Sequence, residues 1–328
     1  MSSWAEFGMR STHLPREPLD DATRAARHLP RTLRPVAGDD VRQRAVFDPS
    51  LRHNFQAYRA GDPVFDDPAK TVAWARARRA AMDAVLLAVS DSAWAESLVL
   101  RGSVLLADRF GEAAREPGDL DFVVVPHTWA MEDGRTTAML DGIAAAADGR
   151  AGIKASGAVS EEIWTYDRVP GRRMVLPWSV AGLPDGQVQL DFVFNEELPE
   201  PPEPVELACG ATVLAATPAL SLAWKVLWLI SDRHPQGKDL YDAVLLAERY
   251  HLPNALLQGL FREAGEWPYP NSEVGLEHIA DLVPSGYVGA EWEHFEAEYP
   301  HLAGPGEEAF VGRLVEALRP TFTAAGTV

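Results

Sequence analysis

The chain has 328 residues, 47% of them hydrophobic, which is enough for two domains of ordinary size and too apolar for global disorder. Its 30 Lys/Arg against 48 Asp/Glu leave a net charge of −18, which argues against broad passive binding of nucleic acid. A single cysteine, Cys209, excludes an internal disulfide and a cysteine zinc site. No apolar run approaches the ~18 residues of a membrane span, and no charged-then-apolar leader opens the chain, so a cytoplasmic, bacterial-type protein is expected.

The charge is uneven. Residues 1–80 carry 14 Lys/Arg and 10 Asp/Glu, and the remainder carries 16 against 38, so any RNA contact would need local basic strips. Residues 1–68, rich in Pro, Arg and Asp, are expected to form an arm with one short helix over Asp20–His28. Thr71–Ser90 is a predicted helix. Val72, Trp74, Met82, Val85, Leu86 and Val89 form its apolar stripe, with Arg76, Arg78 and Arg79 on the solvated side.

Val99–Val125 organises the chain. It reads as strand, tight turn at Gly102-Ser103, helix from Val104 to Phe110, loop, and a second strand from Leu120. Asp119 and Asp121 are two apart, so on a strand they leave the same face, with their Cα atoms about 6–7 Å apart. Two bare carboxylates so close repel, and a hard cation such as Mg²⁺ removes the conflict. A small-residue turn at a helix N-terminus seats a phosphate through its free N–H groups. A phosphate seat beside metal-binding carboxylates points to chemistry on a nucleoside triphosphate.

Met131–Ala147 is a predicted Ala-rich helix. From Ile153 to Arg173 the pattern is irregular, with Lys154, Arg168, Arg172 and Arg173 among Trp164 and Tyr166; such interleaving suits either phosphate contact with base stacking or an exposed hairpin. Met174–Val180 and Gln187–Phe194 read as paired strands around the turn Leu183-Pro184-Asp185-Gly186. Leu190-Asp191-Phe192-Val193 repeats Leu120-Asp121-Phe122-Val123. The Pro/Glu-rich stretch Glu196–Pro204 marks a boundary, and a short strand at Thr212–Ala215 follows. Beyond it the chain reads as helical. Leu220–Ile230 carries the lone cation Lys225, and Gly237–Arg249 opens with Lys238 and Asp239, Asp239 and Asp242 sharing one face. Amphipathic, acidic helices follow at Asn254–Ala264, Val274–Val283, Trp292–Tyr299 and Glu307–Leu318.

Gly102-Ser103 followed by Asp119-x-Asp121 resembles the signature of the polymerase-beta-type nucleotidyltransferase superfamily. The wider pattern, Leu100-Arg101-Gly102-Ser103 with Arg115-x-x-x-Asp119-Leu120-Asp121-Phe122, resembles the AbiEii/AbiGii toxin-like nucleotidyltransferases. Pro117 stands where those proteins usually carry a hydroxyl residue. The resemblance spans roughly Leu98–Arg249. It implies an α+β fold: a mixed sheet flanked by helices, then a mainly helical C-terminal domain. The expected division is an arm (1–68), a nucleotidyltransferase core (69–208) and a helical domain (209–328).

By the same resemblance Asp191 is the third metal acid on a neighbouring strand. Lys225, Lys238, Asp239 and Asp242 match positions that flank the nucleotide. Two Mg²⁺ ions, held by Asp119, Asp121 and Asp191, are expected. Gly102 and Ser103 would grip the β/γ phosphates, Lys225 and Lys238 would offset triphosphate charge, and Arg115 would position the acidic loop. The implied activity is transfer of NMP from an NTP to an acceptor hydroxyl, by a tRNA-modifying toxin with a cognate antitoxin. A nucleotidyltransferase acting on a small molecule or a protein hydroxyl, and a non-catalytic nucleotide-binding protein, remain open.

Overall fold

The computed structural model describes residues 13–51, 57–166, 169–232, 234–265, 272–282 and 289–323. Arg168, counted among the basic residues above, and Val283, the expected end of a helix, lie outside the described residues. Two compact units share the chain. One comprises Met1–Leu100, Gly118–Glu197 and Pro204–Leu214; the other comprises Arg101–Pro117, Leu198–Glu203 and Ala215–Val328. The units interleave. Residues 101–117, inside the expected core segment, group with the C-terminal helices.

The first unit begins with α1 (Asp21–Ala26) and two small hairpin-like pairings: β1 (Val41–Arg42) with β4 (Val64–Phe65), and β2 (Ala45–Phe47) with β3 (Tyr58–Ala60), both antiparallel. Leu14, Leu19, Leu29 and Leu33 form a core here, with Ala45, Tyr58 and Ala60 against it. The expected arm is therefore a packed segment. α2 (Pro68–Ser90) starts where the Asp67 carboxylate accepts the Ala69 N–H at 2.8 Å, with Pro68 in the first turn. It buries Trp74, Met82, Val85, Leu86 and Val89 and packs on α4 and β9, given below. Arg78, expected on the solvated side, is buried instead: it ion-pairs with Asp62 and lies over the Trp74 ring. A helix read alone shows no such partner, because Asp62 lies between β3 and β4.

The remaining strands are β5 (Leu98–Arg101), β6 (Leu120–Val124), β7 (Val159–Tyr166), β8 (Val169–Trp178), β9 (Gly186–Val193), β10 (Glu203–Glu206) and β11 (Thr212–Ala215). Together they make one seven-stranded mixed sheet, ordered β10-β11-β5-β6-β9-β8-β7. β6 and β9 run parallel; β8 is antiparallel to both β9 and β7. The two Leu-Asp-Phe-Val repeats pair in register, Leu120 with Leu190 through Val123 with Val193. Phe122 and Phe192 are fully buried and stack with centroids 5.6 Å apart; each such burial is worth roughly 1.5–3 kcal/mol. α4 (Gly134–Ala147) starts three residues later than expected, Trp129 Nε1 donating to Thr136 Oγ1 at its first turn.

The stretch expected to be irregular between Ile153 and Arg173 is ordered strand over most of its length. β7 and β8 pair from Val159–Val175 to Tyr166–Val169. Pro170, Gly171 and Pro177 mask the period in the sequence. Gly171 is required by close packing: a Cβ there would lie 2.7 Å from the Ile163 side chain.

In the second unit α3 (Ser103–Phe110) is joined by α5 (Pro218–Ser231), α6 (Gly237–Arg249), α7 (Asn254–Ala264), α8 (Leu276–Ala280), α9 (Gly289–Glu298) and α10 (Glu307–Thr323). α6 packs on α5, α9 and α10. Tyr241, Trp292, Phe295 and Phe310 form an aromatic core there, with centroids 4.8 to 5.5 Å apart. No helix among the described residues is long and apolar enough to cross a membrane.

Candidate active site

Asp119 immediately precedes β6, Asp121 lies on it, and Asp191 is the register partner of Asp121 on β9. Side chains paired across neighbouring strands share a face, so the three carboxylates converge. One oxygen from each lies within 4.8 Å of the others, and this is the metal-competent acidic cluster among the described residues. Asp119 and Asp121 are half-buried and Asp191 is buried. All the donors are hard oxygens, which fit a hard divalent cation.

The pairing continues across the sheet. Arg173 on β8 stands opposite Asp191, and Glu161 on β7 stands opposite Arg173. Arg173 grips Asp191 bidentately, Nε to Oδ1 and Nη2 to Oδ2, both at 2.8 Å. Its remaining nitrogen, Nη1, donates to Asp48 Oδ2 at 2.7 Å. Gln189, two residues before Asp191, donates Nε2 to Asp191 Oδ2 at 3.2 Å and reaches Asp119 Oδ2 at 3.5 Å. Burial pushes the Asp191 carboxyl above its ordinary range; Arg173 opposes the shift, and Asp119 and Asp48 reinforce it. Burial acts against the Arg173 guanidinium, but Asp191 and Asp48 outweigh it and hold the charge in place.

Arg173, Asp48 and Gln189 had no place among the expected site residues. The sequence offers Arg173 either to a phosphate or to an exposed hairpin; it is instead buried and paired with two carboxylates. The turn at 183–186 did not give its register, because the loop between β8 and β9 runs over 179–185. Asp48 lies 125 positions from Arg173, beyond any local pattern.

The other expected residues belong to the second unit. Gly102 precedes α3 with φ +82° and ψ −152°, a backbone conformation that L side chains rarely adopt. Ser103 begins the helix, and its Oγ is buried with no hydrogen-bond partner among the described residues. Lys225 on α5 places Nζ 2.6 Å from Asp239 Oδ1 and 3.1 Å from Asp242 Oδ2. Asp242 also receives Arg115, Nε at 3.1 Å to Oδ1 and Nη2 at 3.0 Å to Oδ2. All four side chains are buried. Burial raises the Asp242 carboxyl, but Arg115 and Lys225 outweigh it and hold it below its ordinary value. Burial lowers Lys225, but Asp239 and Asp242 outweigh it and hold it above. Lys238, beside this network on α6, is half-exposed.

α6 also holds the loop after α3. Tyr241 Oη donates to Ala113 O at 2.6 Å, and Arg249 Nη1 to Arg109 O at 2.8 Å. The end of α3, the loop after it and Arg115 are thus held by α6.

Among solved structures the chain is similar to JHP933 from Helicobacter pylori, at 14% identity and TM-score 0.45, covering 76% of this chain and 93% of that one. It is also similar to MenT4, a nucleotidyltransferase toxin from Mycobacterium tuberculosis H37Rv, at 19% identity and TM-score 0.46, covering 75% of this chain and 82% of that one. No curated protein matches. A family model described as nucleotidyl transferase AbiEii toxin, type IV toxin–antitoxin system, matches residues 84–322, and the chain belongs to that family of nucleotidyltransferases.

Proposed function

We propose that the protein is a magnesium-dependent nucleotidyltransferase that moves NMP from an NTP to an acceptor hydroxyl, with tRNA as acceptor, and that it acts as a toxin restrained by a cognate antitoxin. The observation that carries this reading is the convergence of Asp119, Asp121 and Asp191 on one sheet face within 4.8 Å. Family membership over residues 84–322 supports it.

Asp119 and Asp121 would hold two Mg²⁺ ions, with Asp191 holding the one on the acceptor side. Bound there, the ions would neutralise charge on the attacking and leaving oxygens of the transferred phosphate. In the transfer, the acceptor hydroxyl gives its proton to water as its oxygen bonds the α-phosphorus, and the bond to the leaving pyrophosphate breaks. The chain's own part is positioning. Gly102 leaves the backbone open for close approach, and Ser103 offers the N-terminus of α3 to the β/γ phosphates. Lys238 offsets triphosphate charge from its half-exposed position. Lys225, Asp239, Asp242 and Arg115 act by keeping the α3 loop and α6 in one arrangement.

Incubation of the purified protein with each labelled NTP, Mg²⁺ and total tRNA tests the proposal. Label in tRNA, lost in Asp121→Ala, is the expected result. Label confined to protein or small molecules moves the acceptor to those classes. No transfer to any acceptor, with Asp121→Ala binding Mg²⁺ and NTP as the native protein does, overturns the reading.

A further inference from the structure

Asp48 lies in the N-terminal segment, before the residues that match the family. Yet Asp48, Arg173 and Asp191 form one buried chain, 7%, 2% and 8% exposed. The guanidinium is used as a three-point fork. Two arms fix both oxygens of Asp191 and the third is held by Asp48. Asp48 is itself oriented, since its Oδ1 accepts the Ser50 N–H at 3.0 Å. The N-terminal segment is anchored to the same sheet by the neighbouring strand. Glu161, opposite Arg173, accepts the Arg31 N–H at 3.1 Å, the Thr32 N–H at 2.8 Å and the Thr32 hydroxyl.

From this geometry we infer that Arg173 is a positioning residue for the third carboxylate of the site, and that Asp48 is its tether. The N-terminal segment is thereby a working part of the active site. The inference rests on the proposed role of Asp119, Asp121 and Asp191 as metal ligands. A carboxylate near two others of like charge rotates away from them unless it is held. The bidentate fork sets the plane of the Asp191 carboxylate, one oxygen of which lies within 4.8 Å of an oxygen of Asp119 and of Asp121. Asp48 shares the guanidinium charge, so that Arg173 does not compete fully with a cation for Asp191. Lysine carries the same charge without the planar fork and cannot hold three points at once.

The test uses the full chain and Mn²⁺ as probe, read by loss of the free-ion electron paramagnetic resonance signal, alongside kcat and the KM for NTP. Arg173→Lys is expected to weaken Mn²⁺ binding and lower kcat by about tenfold or more, with the NTP KM moved less than about twofold. Asp48→Asn, which still accepts from Ser50, is expected to move both in the same direction by less, and it serves should Arg173→Lys fail to fold. Native Mn²⁺ binding and kcat in a folded Arg173→Lys overturn the inference, as does a loss of thermal stability in both variants without change in Mn²⁺ binding. Asp121→Ala separates the two layers of the argument. If it binds Mn²⁺ as the native protein does, the metal-site reading itself has failed and the inference with it.

Discussion

Two buried ionic clusters, one in each unit, obey opposite rules. In the second unit, Arg115 and Lys225 meet Asp239 and Asp242, two cations with two anions, all buried. In the first unit, Asp119, Asp121 and Asp191 lie together, Arg173 bridges Asp191 to Asp48, and Asp119 and Asp121 keep solvent access. A balanced, closed network satisfies itself and holds backbone in place. An acid-rich, open one asks for a cation. The contrast separates a network that holds its own unit's backbone from a cluster open to a cation.

Substitutions sharpen that contrast. The largest effect is expected on activity at the open cluster. Asp119→Asn should lower nucleotidyl transfer by about 10³-fold, because several kcal/mol of charge stabilisation at the phosphate goes with one ligand. Its melting temperature should stay at or above the native value, since a like-charge repulsion is removed. A fall in melting temperature would break the distinction.

Next comes the closed network. Asp242→Ala takes from buried Arg115 its bidentate carboxylate and leaves Lys225 with Asp239, and should cost about 3–5 kcal/mol in urea unfolding. The same network sets a pH window. Asp242 titrates below its unfolded value, so its contribution is complete above about pH 4 and fades as pH falls through the lowered value. Lys225 titrates above its unfolded value, so its contribution is complete below about pH 10 and fades as pH rises through the raised value. Unfolding midpoints measured across pH should show both limbs, with the acid limb flattened in Asp242→Asn. The smallest effect is expected at the cap of α5. Thr217 Oγ1 accepts the Leu220 N–H at 3.0 Å, and Thr217→Ala should cost about 1 kcal/mol without altering Mn²⁺ binding.

Legibility followed the range of the interactions. The twin Leu-Asp-Phe-Val segments are legible because an apolar run broken by a single Asp is a local pattern, and their parallel pairing puts Asp121 beside Asp191. Helix spacing alone placed Asp239 and Asp242 on one face of α6. Arg78 reads as a solvated cation, and Arg173 as a phosphate contact or part of an exposed hairpin, because their anions, Asp62 and Asp48, come from other elements. The strand from Met174 is legible, but its start at Val169 and its partner β7 are obscured by Pro170 and Gly171, which the sheet accommodates at particular register positions.

The sequence by itself determined the family pattern, the strand–turn–helix–strand unit around Gly102-Ser103 and Asp119-x-Asp121, and the helical character of the last third of the chain, all of them consequences of spacing along a few turns or strands. Only the tertiary structure decided that Arg173 clamps Asp191 through a tether at Asp48, that Lys225 and Arg115 close on Asp239 and Asp242, and that α3 packs with the C-terminal helices. Those contacts join residues 14 to 127 positions apart, where register and burial, not local preference, select the partner.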